Sequence, residues 1–146
     1  MAKAESNEVK VEITDIDGEK ITLMNIKKAE VNMFTNDEQT LDLDRDTKLV
    51  VQVKFEGKFT YDTKDSGLEK TETKKIVQWN TETKVDKVYR EVYIVFCKSG
   101  TIIRTYRIPE MFITSYSEGY YSDGVEYKLN LLQKDGYYDE ITITDI

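Results

Sequence analysis

The chain contains no histidine. That absence removes the side chain most often used as a general base, a triad member or a zinc ligand. One cysteine, Cys97, cannot close an internal disulfide or supply a thiolate cluster. Its place inside an apolar run points to a structural thiol buried in a strand. The seven glycines are dispersed among turn-like stretches, and none opens a strand-to-helix junction of the phosphate-cradling kind. A single proline, Pro109, leaves no proline-rich linker. Internal repeats and low-complexity runs are absent as well, so residues 1–146 read as one domain.

Long apolar runs are missing too. No stretch approaches the length of a membrane span, and the opening MAKAESNEVKVE has no apolar core of the kind a signal peptide needs. The expectation is a chain made and kept in the cytoplasm, without a membrane anchor. Positive charge is in deficit: the formal net charge is −7. Lysines come singly or in pairs beside carboxylates, as in IKKAE and TKKIV, which argues against binding by a dense phosphate-neutralising patch and predicts no direct sequence-specific nucleic-acid binding.

Acids are the abundant chemistry, and they do not assemble into a known site. Asp42, Asp44 and Asp46 imitate the first ligands of a calcium loop, but Thr47 stands where glycine is required and Val53 where the bidentate glutamate belongs. Two carboxylates at a set separation would suffice for glycosidase work, yet no cleft signature picks a pair out of 28 acidic residues. The expectation is a protein with no catalytic residue, no metal site and no cofactor.

What is present is period-two alternation. Val9, Val11 and Ile13 alternate with Lys10, Glu12 and Thr14, and Asp17-Gly18 supplies a turn before Ile21 and Leu23. Ala29, Val31 and Met33 continue the pattern. The polar run TNDEQTLDLDRDT then reads as a long excursion between strands. Leu49, Val51, Val53 and Phe55 share one face, with Val50, Gln52, Lys54 and Glu56 on the other. Val88, Val92, Ile94 and Phe96 oppose Tyr89, Tyr93, Val95 and Cys97, which predicts a central strand covered on both faces. After a Ser99-Gly100 turn comes a strand over 102–108 that Pro109 bends or places at an edge. A strand from Met111 to Tyr116, a turn over Ser117–Gly124, and a strand carrying Val125, Tyr127, Leu129 and Leu131 follow, with a last strand through Ile141 and Ile143. The predicted core is Leu49, Val51, Val53, Phe55, Val92, Ile94, Phe96, Leu129 and Leu131. With 39% hydrophobic and 34% charged residues, that core should be thin.

One segment invites a helix. SGLEKTETKKIVQWN starts with Ser66 and Glu69 in capping-box spacing and brings Leu68, Ile76 and Trp79 near one face, with Glu72 where an apolar residue would help. Trp79 reads either as the anchor of that helix on the sheet or as a carbohydrate-stacking platform. The tyrosines of the last third, Tyr116, Tyr120, Tyr121, Tyr127, Tyr137 and Tyr138, read either as half-buried strand residues or as interface residues that combine rigid area with a polar tip. For Tyr127 the half-buried strand reading is taken; for Tyr120 and Tyr121 both remain open.

The stretch VYIVFCKSGTIIRTYRIPEMFITSYSEGYYSDGVEYKLNLLQ resembles the C-terminal half of the tail-tube superfamily, which includes phage and bacteriocin tube proteins and the type VI secretion tube protein. The matching pieces are Val92 to Gly100, Ile102 to Ile108, Phe112 to Glu118, Tyr120 to Gly124 and Val125 to Lys134. The resemblance covers the last third by motif and the rest by element order. It implies a mainly β protein, a small antiparallel barrel or sandwich flanked by one helix. It also implies a homo-oligomer, a hexameric ring that stacks into a conduit with other tail tube, hub or baseplate proteins. Such a tube, tube initiator or hub-proximal ring would assemble in the cytoplasm and leave by lysis within a virion or tail-like particle. The subunit-interface residues on this reading are Phe34, Asp37, Glu38, Met111, Phe112, Tyr116, Glu118, Tyr120 and Tyr121. A monomeric β-sandwich module that binds carbohydrate or protein is the alternative.

Overall fold

The computed structural model describes residues 7–24, 26–35, 49–61 and 63–145, without the side chains of residues 7 and 63–68. The strands are β1 (Asn7–Thr14), β2 (Lys20–Leu23), β3 (Ile26–Thr35), β4 (Leu49–Phe59), β5 (Arg90–Lys98), β6 (Thr101–Tyr121), β7 (Gly124–Gln133) and β8 (Thr142–Asp145). A long helix α1 (Thr63–Asn80) and a short one, α2 (Val85–Val88), lie between β4 and β5. All strand pairings are antiparallel, in the order β2-β1-β5-β6-β7-β4-β3, with β8 added to β6. The sheet does not close. It curls far enough that β1 touches β3 without pairing to it, so the expected barrel is an open one.

Alternation sets the curl. The odd positions of β1, β4 and β7 and the even positions of β5 turn inward, and Val11, Ile13, Val51, Val53, Phe55, Val92, Ile94, Leu129 and Leu131 are all buried. Leu49 and Phe96, expected in the core, are only partly buried against it. The core reaches further than predicted, to Ile21, Leu23, Ile76, Ile108, Met111 and Tyr127. Tyr127, taken as half-buried, is fully enclosed because its ring lies over Gly57, its register partner on β4. A Cβ at Gly57 would run into that ring. The glycine is a slot for the tyrosine.

Several expectations are corrected. β5 is central in the sheet but buried on one face only; Tyr93, Val95 and Cys97 on the other face are half-buried, since no layer covers them. Val88 ends α2 instead of starting the strand. Ser66 lies inside α1, which starts three residues earlier, so it is not the cap. Pro109 does not end its strand: β6 runs for 21 residues and absorbs the proline in a bulge, with Glu110 at φ 58°. There β6 passes from pairing with β5 to pairing with β7. Lys134 N donates to Glu110 O at 2.8 Å and Gln133 Nε2 to Pro109 O at 2.9 Å, which gives the bulged carbonyls donors. Ser117-Glu118-Gly119 is strand as well; the turn is Ser122-Asp123 alone. The acidic excursion after Thr35, including Asp42, Asp44 and Asp46, lies outside the described residues.

The helix packs against the inner side near β2. Ile76 and Trp79 are buried, and so are Glu69 and Glu72. Glu72 Oε1 accepts the Thr22 amide of β2 at 2.7 Å and its other oxygen holds Lys75 at 2.9 Å. The acid that broke the apolar stripe is the helix's tie to a sheet edge.

Candidate assembly surface

The outer face of the sheet is polar over most of its area, with acids and bases interleaved on paired strands. Lys54 faces Glu30 on β3 across the ladder, Lys28 pairs with Glu30 at 2.9 Å, and Arg107 pairs with Glu91 at 2.7 Å. Where β3 ends and β4 begins this pattern fails. Phe34 is opposite Val50, Leu132 is opposite both Gln52 and Phe112, and Tyr89 packs edge-on to Phe112 with ring centroids 5.7 Å apart. These six side chains, five of them apolar, line a groove of about 630 Å³. Phe34 is 44% exposed, and the Lys134 ammonium sits 4.8 Å from the centre of the Tyr89 ring. An apolar trough in a charged sheet face is the feature of this molecule that calls for a partner.

Of the residues expected at an interface, Phe34 and Phe112 meet in this groove. Tyr116, Glu118 and Tyr120 lie elsewhere, on the inward side of β6 opposite Leu129, Tyr127 and Val125. Glu118 accepts the hydroxyls of Tyr116 and Tyr120, each at 2.6 Å, so one carboxylate holds two rings in line along the strand. Burial first, and the Glu118 contact second, hold the Tyr116 hydroxyl well above its usual range. Tyr120 is 68% exposed at the rim. Tyr121 points the other way and folds back over Gly119, while its carbonyl accepts the Tyr61 hydroxyl at 2.6 Å. Met111 is fully buried, because the bulge at Pro109-Glu110 turns it inward between Arg90 and Gln133, and it offers no surface. Asp37 and Glu38 lie outside the described residues.

Trp79 is 3% exposed, donates Nε1–H to Val88 O at 2.9 Å and carries Arg90 over its ring at 4.9 Å. It is an anchor, and no platform for a sugar. Among the described residues no group of three metal-ligating side chains comes together, and no helix is long and apolar enough to cross a membrane.

Val50, Tyr89 and Leu132 were not singled out from the sequence as interface residues. Their signal was an apolar residue out of phase: Val50 beside Val51, and Leu132 after Leu131, each placed on the polar face of an otherwise regular strand.

The architecture has counterparts among solved structures. Hcp1 of E. coli EAEC 042 superposes with a TM-score of 0.61 at 10% identity, over 94% of this chain and 98% of that one. The chain has the tail-tube fold. The sheath/tube terminator of the PVC extracellular contractile injection system matches with a TM-score of 0.57 at 10% identity, over 93% and 92% of the two chains. A chain of the anti-feeding prophage baseplate gives 0.52 at 9% identity, over 99% and 97%. No family model and no curated protein sequence matches the chain. In this tail-tube fold the resemblance read from the last third extends through the whole order of elements.

Proposed function

We propose that the protein is a structural, non-catalytic component of a contractile phage tail or tail-like particle. It is a tube subunit, a tube initiator or a hub-proximal ring, built from all 146 residues as one tail-tube unit. The observation that carries this reading is the near full-length likeness to Hcp1 and to the PVC tube terminator. An apolar groove that none of the described residues covers adds to it. Copies would associate head to tail into hexameric rings that stack into a conduit, since heterologous contacts either close as rings or propagate as filaments. Assembly would take place in the cytoplasm, and the finished particle would leave by lysis. The interface would draw on Phe34, Phe112, Tyr120 and Tyr121.

Light scattering and electron microscopy of the purified chain over a range of concentrations, alone and with tube, hub and baseplate proteins of such a particle, test the reading. Rings or stacked tubes are the expected result. A chain that stays monomeric throughout overturns it. The alternative, a monomeric module that binds carbohydrate or protein, does not have Trp79 as a stacking platform, since that ring is buried.

A further inference from the structure

The groove and a second exposed apolar patch lie at opposite ends of β5. Tyr89 of the groove immediately precedes Arg90, the first residue of that strand. At its far end the β5–β6 hairpin turns at Ser99-Gly100, both with positive φ, and carries Ile102 and Ile103, 47% and 48% exposed. A bulge opposite Phe96–Cys97 breaks the ladder there: Ile102 still pairs with Cys97, and Ile103 is the extra residue with no partner on β5. Tip and groove are roughly 26 Å apart at about 3.3 Å per residue of strand, so they cannot cover one another within a single chain.

The groove's rim carries one base, Lys134, which sits over the Tyr89 ring, and one acid, Asp135. Lys98 is exposed beside the tip and Asp135 is exposed on the groove's rim. Neither makes an ion pair among the described residues, although eight such pairs occur among them. The groove's volume exceeds what two branched side chains need.

We propose that the Ile102–Ile103 tip of one copy inserts into the Phe34–Val50–Tyr89–Phe112–Leu132 groove of the next, with Lys98 of the first copy paired to Asp135 of the second. The contact is heterologous, runs along the direction of β5, and leaves a free tip at one end of an open series and a free groove at the other. This rests on the assembly reading above and specifies which surfaces carry it.

The test uses the full chain in a Cys97→Ser background. Thr101→Cys beside the tip and Gln52→Cys at the groove's rim leave the apolar side chains in place. The two variants are mixed and mildly oxidised, with Lys128→Cys, elsewhere on the outer face, as the control partner for Thr101→Cys. Disulfide formation between the tip and groove variants at least tenfold above the control supports the contact. So does loss of assembly in Lys98→Asp that Asp135→Lys restores. If the parent chain assembles normally while tip-to-groove crosslinks do not exceed the control, and the charge exchange rescues nothing, the tip–groove contact is wrong and assembly stands. If the parent chain never associates, both this contact and the assembly reading fall. Melting curves of each variant separate loss of contact from loss of fold.

Discussion

At the scale of single residues, two tyrosines and a glycine make the sharpest statements. Tyr127 occupies the space over Gly57, so Gly57→Ala should cost about 1–3 kcal/mol by overpacking. Combined with Tyr127→Leu, which removes the ring, the second substitution should add much less than it costs alone. Denaturant titration of the four proteins in a double-mutant cycle measures that coupling, and simple additivity would contradict the slot. The same two rings predict an alkaline weakness. Burial raises the hydroxyl pKa of both Tyr127 and Tyr116, with Glu69 adding to the effect at Tyr127 and Glu118 at Tyr116. The folded state therefore retains protons that the unfolded chain releases above pH about 10. Below that pH the preference for the neutral form costs nothing. Above it stability falls, by up to about 1.4 kcal/mol per pH unit for the enclosed Tyr127 while the folded form stays protonated, and by less for the part-exposed Tyr116. Urea midpoints should be flat near neutral pH and drop above pH about 10, and Tyr116→Phe should make the drop shallower.

At the scale of elements, α1 and β6 show where sequence patterns were readable and where they were not. The Glu72 carboxylate takes the Thr22 amide at the β2 edge, and Glu72→Ala leaves that amide without its acceptor at a cost of about 1–3 kcal/mol. Glu72→Gln keeps an acceptor and should cost less; equal destabilisation of the two in thermal unfolding would contradict the edge tie. From the sequence the helix was visible through Ile76 and Trp79, while Glu72 looked like a flaw in the stripe. Periodicity scores apolar residues and cannot see an acid whose partner is a strand amide 50 residues away. The strands were legible because β1, β4, β5 and β7 bury every second residue. β6 was less so. Pro109 and the Ser117–Gly119 segment carry turn chemistry, yet both stay in strand: the first because a bulge and the side chain of Gln133 accommodate it, the second because Gly119 makes room for the Tyr121 ring. In the assembly surface, Phe34 and Phe112 were recognised as chemistry, but their meeting depends on the β3-β4-β7-β6 strand order, which no local pattern encodes.

At the scale of the whole molecule, the open sheet leaves two kinds of unfinished business, strand edges and apolar surface. α1 ties down the edge at β2, whereas the outer edge of β3 and the edge of β6 beyond Met111 have no strand partner among the described residues. Such edges are normally protected by charge, by twist or by another chain. The rim tyrosines lie beside one of them. Tyr120 is 68% and Tyr121 55% exposed, and Tyr120 is held in place by Glu118. Surface substitutions usually change fold stability by less than about 0.5 kcal/mol. Aromatic anchors at an interface, by contrast, are worth roughly 2 kcal/mol or more each when truncated. Tyr120→Ser with Tyr121→Ser should therefore leave the melting curve of the single chain nearly unchanged and abolish assembly, since the proposed ring would repeat the loss at every contact. The two residues point to opposite faces of β6, so the single variants divide the loss. A larger effect from Tyr120 places the neighbour on the inward rim, and one from Tyr121 places it on the outer face with Phe34 and Phe112. Light scattering of the parent, the two single variants and the double variant reads this directly. If the double variant assembles like the parent, the rim tyrosines lie outside every contact, and the apolar groove is left to carry the assembly.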